Sequence, residues 1–227
     1  MSDASPSGDG RGTDRQAIWQ RPGHGSRGPA PAYSRDAIAR AAVVLADEKG
    51  IGAVSMRAVA GALGTGAGAL YRYLSSRDDL LNLMADRVTG ELRPYPRSDG
   101  DWLDTMLQLA RGQLGLYRRH PWLLDVAHRS SRLGPEGLAW FDHCLQILAP
   151  LTCAATAKFE AIAMMTGVVS LFARSEATSR SLTFTGLDLA AYPHLDASLR
   201  QPPAPGSGKD LLERTLRALL SGLLAQP

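Results

Sequence analysis

The stretch from Gly61 to Leu81, GALGTGAGALYRYLSSRDDLL, combines two features that can do chemistry. Glycines at 61, 64, 66 and 68 leave the backbone bare, and Tyr71, Arg72 and Tyr73 then supply two phenolic hydroxyls and a guanidinium. Bare backbone beside such donors suits three tasks: cradling a phosphate, packing helix on helix, or approaching nucleic acid. A nucleotide P-loop requires G-x-x-x-x-G-K-[ST], and no lysine follows these glycines. A dinucleotide fingerprint requires a preceding strand within a βαβ unit, whereas a helical pattern precedes here. Phosphate-loop chemistry is set aside on both counts.

The surrounding elements favour nucleic acid. Ser34 is a good N-cap, and Ile38, Ala41, Ala42 and Leu45 follow at helical spacing until Gly50 ends the helix. Ser55 caps a short helix over Met56 to Leu63, with Val59 and Leu63 inward, and Gly64 ends it. Another spans Ala67 to Leu74. Two short helices joined by a tight turn and braced by a third form a helix-turn-helix, whose second helix enters the major groove of DNA. Gly66, Ala67 and Gly68 let that helix's backbone approach closely. Tyr71 and Tyr73 offer hydroxyls to phosphates, and Arg72 can reach a guanine edge or a phosphate. Arg77 is placed to hold the flanking backbone. Each residue alone is about as readily structural; Leu70 and Val59 are packing residues, and Tyr73 fits packing as well.

Charge agrees. The chain has 227 residues and a net charge of +3, with positive charge concentrated in the first third. Arg11 to Arg35 contains five arginines and one acid, and Ser55 to Arg77 contains Arg57, Arg72 and Arg77 with no acid. Clustered cations displace condensed counterions from phosphates. Residues 1–32 are rich in Ser, Gly, Pro, Asp and Arg and read as a disordered basic arm; Ile18 and Trp19 form an apolar pair within it that can dock on the body or on nothing. No secretory signal is visible. The charge-free stretch Ala161 to Ala173 is shorter than the roughly 20 residues of a membrane span. The reading is a cytoplasmic protein with no membrane partner. Cys144 and Cys153 read as two reduced, buried thiols, and His143–Cys144 lacks the paired spacing of a zinc motif.

Tyr33 to Asp86, including the A-L-Y-R-Y-L run and S-S-R-D-D-L-L, resembles the N-terminal domain of the tetracycline-repressor (TetR) family of regulators. The segments RRHPWLLDVA and LGPEGL resemble the tetracycline-repressor-like subclass of C-terminal domain. The resemblance implies a homodimer with a three-helix DNA-binding head, a connecting fourth helix, and a helical C-terminal domain that binds a small effector. By position it adds Arg57 as a DNA contact at the start of the second helix and assigns Arg77 to the phosphate contact. Gly66 and Gly68 depart from the larger residues usual there, leaving more of the recognition to DNA shape. Arg27 stands just before the head, placed to enter a minor groove.

The expected fold is all-α: residues 33–93 as a helix-turn-helix head with its connecting helix, and 101–227 as an effector-binding and dimerisation bundle. Ser76 caps the fourth helix, about Asp78 to Leu92, with Leu80, Met84 and Val88 on one face, and Pro94 and Pro96 stop it. Further helices start at Trp102, Pro121 and Pro135. A long one covers about 155–177 and the last about 209–225, with Leu212, Leu216, Leu219 and Leu223 on one stripe; 179–208 reads as loop. Candidate effector-pocket residues are Met106, Gln113, Trp122, His128, Trp140, Phe141, His143, Met165 and Phe172. Gln113, His128 and His143 are the best polar candidates, since buried polar groups need partners. An apolar or aromatic effector is expected, with no cofactor or metal, and a palindromic DNA operator as partner. Two rivals remain: a helical small-molecule-binding protein with a degenerate head, and an enzyme, for which no convincing catalytic spacing is found.

Overall fold

The computed structural model describes residue 19 and residues 33–127, 133–178, 191–201 and 211–224. Every regular element among these is helical. Arg27, His128 and the arm apart from Trp19 lie outside the described residues.

The head is built from α1 (Arg35–Lys49), α2 (Met56–Ala62), α3 (Ala67–Leu70) and the first part of α4 (Arg77–Thr89). Serine hydroxyls start three of these helices: Ser34 accepts from the Ala37 amide at 3.0 Å, Ser55 from Ala58 at 3.1 Å and Ser76 from Asp79 at 3.1 Å. Each such cap satisfies an amide with no intrahelical partner, a contribution of about 1 kcal/mol. Gly50 and Gly64 adopt φ of 78° and 69°, a region that glycine enters without steric cost, and so they end α1 and α2. Ile38, Val59, Leu70, Leu80 and Met84 are fully buried where the helices meet, each contributing roughly 1.5–3 kcal/mol. The Tyr33 hydroxyl donates to the Leu63 carbonyl at 2.8 Å, pinning the entry of α1 to the end of α2.

The third helix is shorter than the sequence pattern suggests. Its α-helical part covers Ala67–Leu70, and the chain then tightens, the Tyr73 amide bonding the Leu70 carbonyl at 2.9 Å. Two glycines near the start and two aromatics at the end disfavour a longer regular helix.

Behind α4 lie α5 (Trp102–Arg119), α6 (Leu123–Ala127), α7 (Pro135–Leu148), α8 (Ala155–Thr178) and α10 (Leu211–Leu224). Asp101 caps α5 by accepting from the Asp104 amide at 2.9 Å. α8 packs on α5 and α10, and α4 packs on α1 on one side and on α6 and α7 on the other. A short helix, α9 (Pro193–Leu199), lies within the stretch expected to be loop; Pro193 at its first position presets helical φ. In α10 the fully buried stripe is Leu216, Leu220 and Leu224, with Leu212, Leu219 and Leu223 at its flanks. By length and composition α8 is apolar enough to cross a membrane, but Ile162, Met165 and Val169 are buried within the bundle. Cys144 is buried and its thiol is pushed up to about 12 by desolvation. Cys153, expected to be buried, is only half-buried.

Candidate nucleic-acid interface and internal cavity

The helix-turn-helix presents an exposed face. Arg57, Gly66, Gly68, Tyr71, Arg72 and Arg77 are exposed and Ala67 is half-buried. Tyr71 is 58% exposed while Tyr73 is 7% exposed. Tyr73 therefore belongs to the head core, beside Leu70 and Leu74, and not to the open face. The alternation follows from the turn after α3, which swings one tyrosine out and the next one in. Arg77 has a structural task of its own: its Nε donates to the Val54 carbonyl at 3.0 Å and its Nη2 to the Ile51 carbonyl at 3.1 Å. It thus braces the turn between α1 and α2.

Gly66 and Gly68 carry the most information. A Cβ added at either position would meet nothing within 4 Å, and neither adopts a left-handed φ. Packing among the described residues gives no reason for glycine at these two positions. At Gly68, inside α3, glycine costs about 0.5–1 kcal/mol relative to alanine, whereas Gly66 is the N-cap of α3, where glycine is tolerated.

Behind the head, a cavity of about 230 Å³ opens among the helices. α4 forms one wall with Asn82, Ala85, Asp86 and Thr89. Opposite stand Gln113, Leu116 and Tyr117 of α5, with Trp140 of α7 and Thr166 of α8. Gln113 and Trp140 are therefore the two candidate pocket residues placed at this cavity. Met106 and Met165 are fully buried in the bundle core. Phe172 lines a separate groove beside α10. Phe141 stacks on Phe159 with ring centroids 5.3 Å apart. His143 stacks on Tyr95 at 4.8 Å and its Nε2 donates to the Pro96 carbonyl at 3.0 Å, so it straps α7 to the segment after α4. Trp122 also serves a joint: its Nε1 donates to Asp47 Oδ1 at 2.7 Å.

That joint ties the head to the body. Asp47, near the end of α1, also faces His120 Nδ1 at 2.8 Å, and His120 Nε2 lies 3.2 Å from Glu91 Oε2. A second clasp grips α4. Asp86 accepts from the Gly137 amide at 3.0 Å, acting from α4 as a cap for α7, whose own N-cap Gly134 offers no side chain. Burial holds the Asp86 carboxyl above its ordinary range, aided by the Glu136 charge and opposed by the Gly137 and Glu136 amides. Arg93 pairs with Glu136 at 2.7 Å, and Arg87 pairs with Asp36 of α1. Trp19 packs at the same place, half-buried. A Cβ on Gly134 would lie 2.3 Å from Asp86 Cγ and 2.5 Å from Trp19 Cζ2.

Sequence reasoning missed Asp86, Asn82, Thr89, Tyr117 and Thr166 at the cavity and Asp47 at the joint. Asn82, Ala85, Asp86 and Thr89 do carry a signal, a second stripe at i, i+3, i+4, i+7 on α4. Its small and polar residues imitate a solvated face.

A family model described as bacterial regulatory proteins of the tetR family matches residues 38–84. Another, described as the tetracyclin repressor-like C-terminal domain, matches residues 94–226. The HTH-type transcriptional repressor DrrR1 of Streptomyces coeruleorubidus is 39% identical over 162 residues, which cover 71% of this chain and 60% of that protein. An HTH-type transcriptional regulator of Saccharopolyspora erythraea is 30% identical over 217 residues, covering 92% of each. The crystal structure of the Streptomyces coelicolor TetR family protein ActR in complex with (S)-DNPA is similar with a TM-score of 0.71 at 26% identity, covering 87% of this chain and 99% of that one.

Proposed function

Because the chain belongs to the tetR family of bacterial regulatory proteins, we propose that it is a homodimeric repressor that leaves a palindromic operator when a small apolar or aromatic molecule fills its cavity. One observation carries this reading. The helix whose Leu80, Met84 and Val88 complete the head core also supplies Asn82, Ala85, Asp86 and Thr89 to the cavity wall. A molecule entering the cavity presses on the element that positions the DNA-reading face. Occupancy then shifts the population toward an α4 position that no longer fits adjacent major grooves. The shift is limited to the difference in the molecule's affinity for the two states, typically 1–3 kcal/mol of coupling.

Arg57, Tyr71 and Arg72, with the bare backbone at Gly66 and Gly68, form the DNA face in this reading, and Arg77 adds a phosphate contact from its bracing position. The ligand-bound relative ActR supports a small-molecule effector. Support for the homodimer comes from α8: Met164 and Leu171 are 46% and 66% exposed, and with Gly167 they lie on one helical face, apolar and unpartnered among the described residues. Two copies of α8 and α10 would bury that face as a four-helix interface. The protein would act in the cytoplasm, on the DNA flanking its own gene.

The test is binding of the purified protein to that DNA, read by fluorescence anisotropy over a salt series. Steeply salt-dependent binding that survives excess competitor DNA supports the repressor. Weak binding abolished equally by any competitor sinks it and leaves a helical small-molecule-binding protein with a degenerate head.

A further inference from the structure

We propose that the cavity selects a largely apolar, non-anionic molecule that presents a carbonyl acceptor to Trp140 Nε1 and a hydroxyl donor to Gln113 Oε1. The inference rests on reading the cavity as the effector site and specifies what that effector must carry. Gln113 and Trp140 are 7% and 8% exposed, and both line the cavity. Gln113 Oε1 and Trp140 Nε1 are buried and have no hydrogen-bond partner among the described residues. A buried polar atom left unpaired costs about 1–3 kcal/mol, and native proteins keep few of them. Two such atoms of opposite polarity, on residues that line one cavity, define a complementary ligand.

The amide orientation is fixed by a relay of hydroxyls. Ser170 gives its hydrogen to the Thr166 carbonyl at 2.8 Å, an oxygen that can only accept. Ser170 Oγ, 3.2 Å from the Tyr117 hydroxyl, is then left to accept from it. With the Tyr117 hydrogen spent, its oxygen accepts from Gln113 Nε2 at 3.4 Å. Gln113 Oε1 is thereby the unspent end of the chain. Desolvation raises the Tyr117 phenol above its ordinary range, so it stays a neutral hydroxyl at physiological pH. Ala85, Leu92, Leu116 and Leu123 supply apolar wall around these two points. Asp86, also in the lining, gives Oδ1 to the Gly137 amide at the start of α7, and its carboxylate disfavours an anionic ligand.

The experiment titrates four two-ring probes into the full-length protein by calorimetry: a hydroxytetralone, tetralone, a tetrahydronaphthol and tetralin. These carry both groups, the ketone alone, the hydroxyl alone, and neither. Loss of either group is expected to weaken binding about tenfold. In Trp140→Phe the ketone should cease to matter while the hydroxyl still does, and Gln113→Leu should show the reverse. Should Gln113→Leu fail to fold, Gln113→Met makes the same comparison. Binding of all four probes with equal affinity, or discrimination that persists in both variants, overturns the donor and acceptor assignment and leaves the cavity as an effector site. Failure of all four to bind overturns that reading too.

Discussion

Glycine stands at critical points in both halves of this molecule, for opposite reasons. In the head, Gly66 and Gly68 look onto open space. In the body, Gly134 sits where any side chain would run into Asp86 and Trp19. The body glycine answers to packing already present, and the head glycines leave room for the DNA surface proposed to approach them. The same contrast runs through the other residues proposed to act. Those of the head are exposed side chains placed by a core beneath them, and those of the cavity are buried or half-buried side chains gathered from α4 to α8.

Two tyrosines flanking Arg72 give the largest test of the contrast. Tyr73→Ala should cost about 3 kcal/mol of stability, because a buried aromatic is removed. Tyr71→Ala should change stability by less than about 0.5 kcal/mol yet weaken operator binding severalfold. Chemical denaturation and anisotropy separate the two effects, and equal stability losses at both sites would erase the distinction between face and core.

Gly134→Ala should cost about 1–3 kcal/mol by overpacking, with the loss reduced when Asp86 is also shortened to Ala; strict additivity of the two would place the clash elsewhere. Gly66→Ala, at the N-cap of α3, should lower both stability and operator affinity. Gly68→Ala, inside α3, should instead gain about 0.5–1 kcal/mol while lowering operator affinity. A gain in stability with unchanged affinity would show that DNA does not come close there.

The smallest effect concerns Asp86. Its folded pKa is raised above the unfolded value, so the stability it contributes is full below the unfolded pKa and is lost as pH rises through the folded one. Asp86→Asn keeps an oxygen for the Gly137 amide and removes that loss. The melting temperature should rise slightly at neutral pH, and the gain should vanish below about pH 4. A gain that is independent of pH would point to packing instead of charge.

The head was legible in the sequence because its signals are local. Caps, C-terminal glycines and periodic apolar residues lie within single helices, so Ser34, Ser55, Ser76, Gly50 and Gly64 could be read in place. Tyr73 misled because motif position does not reveal which way a turn aims a side chain. The cavity was legible only at Gln113 and Trp140. Asn82, Asp86 and Thr89 look like a solvated stripe until α7 is laid against them, and the Asp47–His120–Trp122 joint joins residues more than seventy positions apart. Large aromatics and methionines such as Met106, Met165 and Phe141 are equally suited to core and pocket, so composition could not sort them. Helix α9 was missed because its seven residues are too few to establish a period.

The central claim is that filling the cavity moves the head through α4, and it can be tested with no effector in hand. Thr166→Phe enlarges a cavity-lining residue on α8, a helix that packs on α5, α7 and α10 and makes no substantial contact with the head. Operator affinity of this variant, measured by anisotropy at fixed salt, should fall at least about fivefold, with a cooperative unfolding transition retained. Unchanged affinity in the folded variant would contradict the account, since the cavity would then be occupied without the DNA-reading face responding.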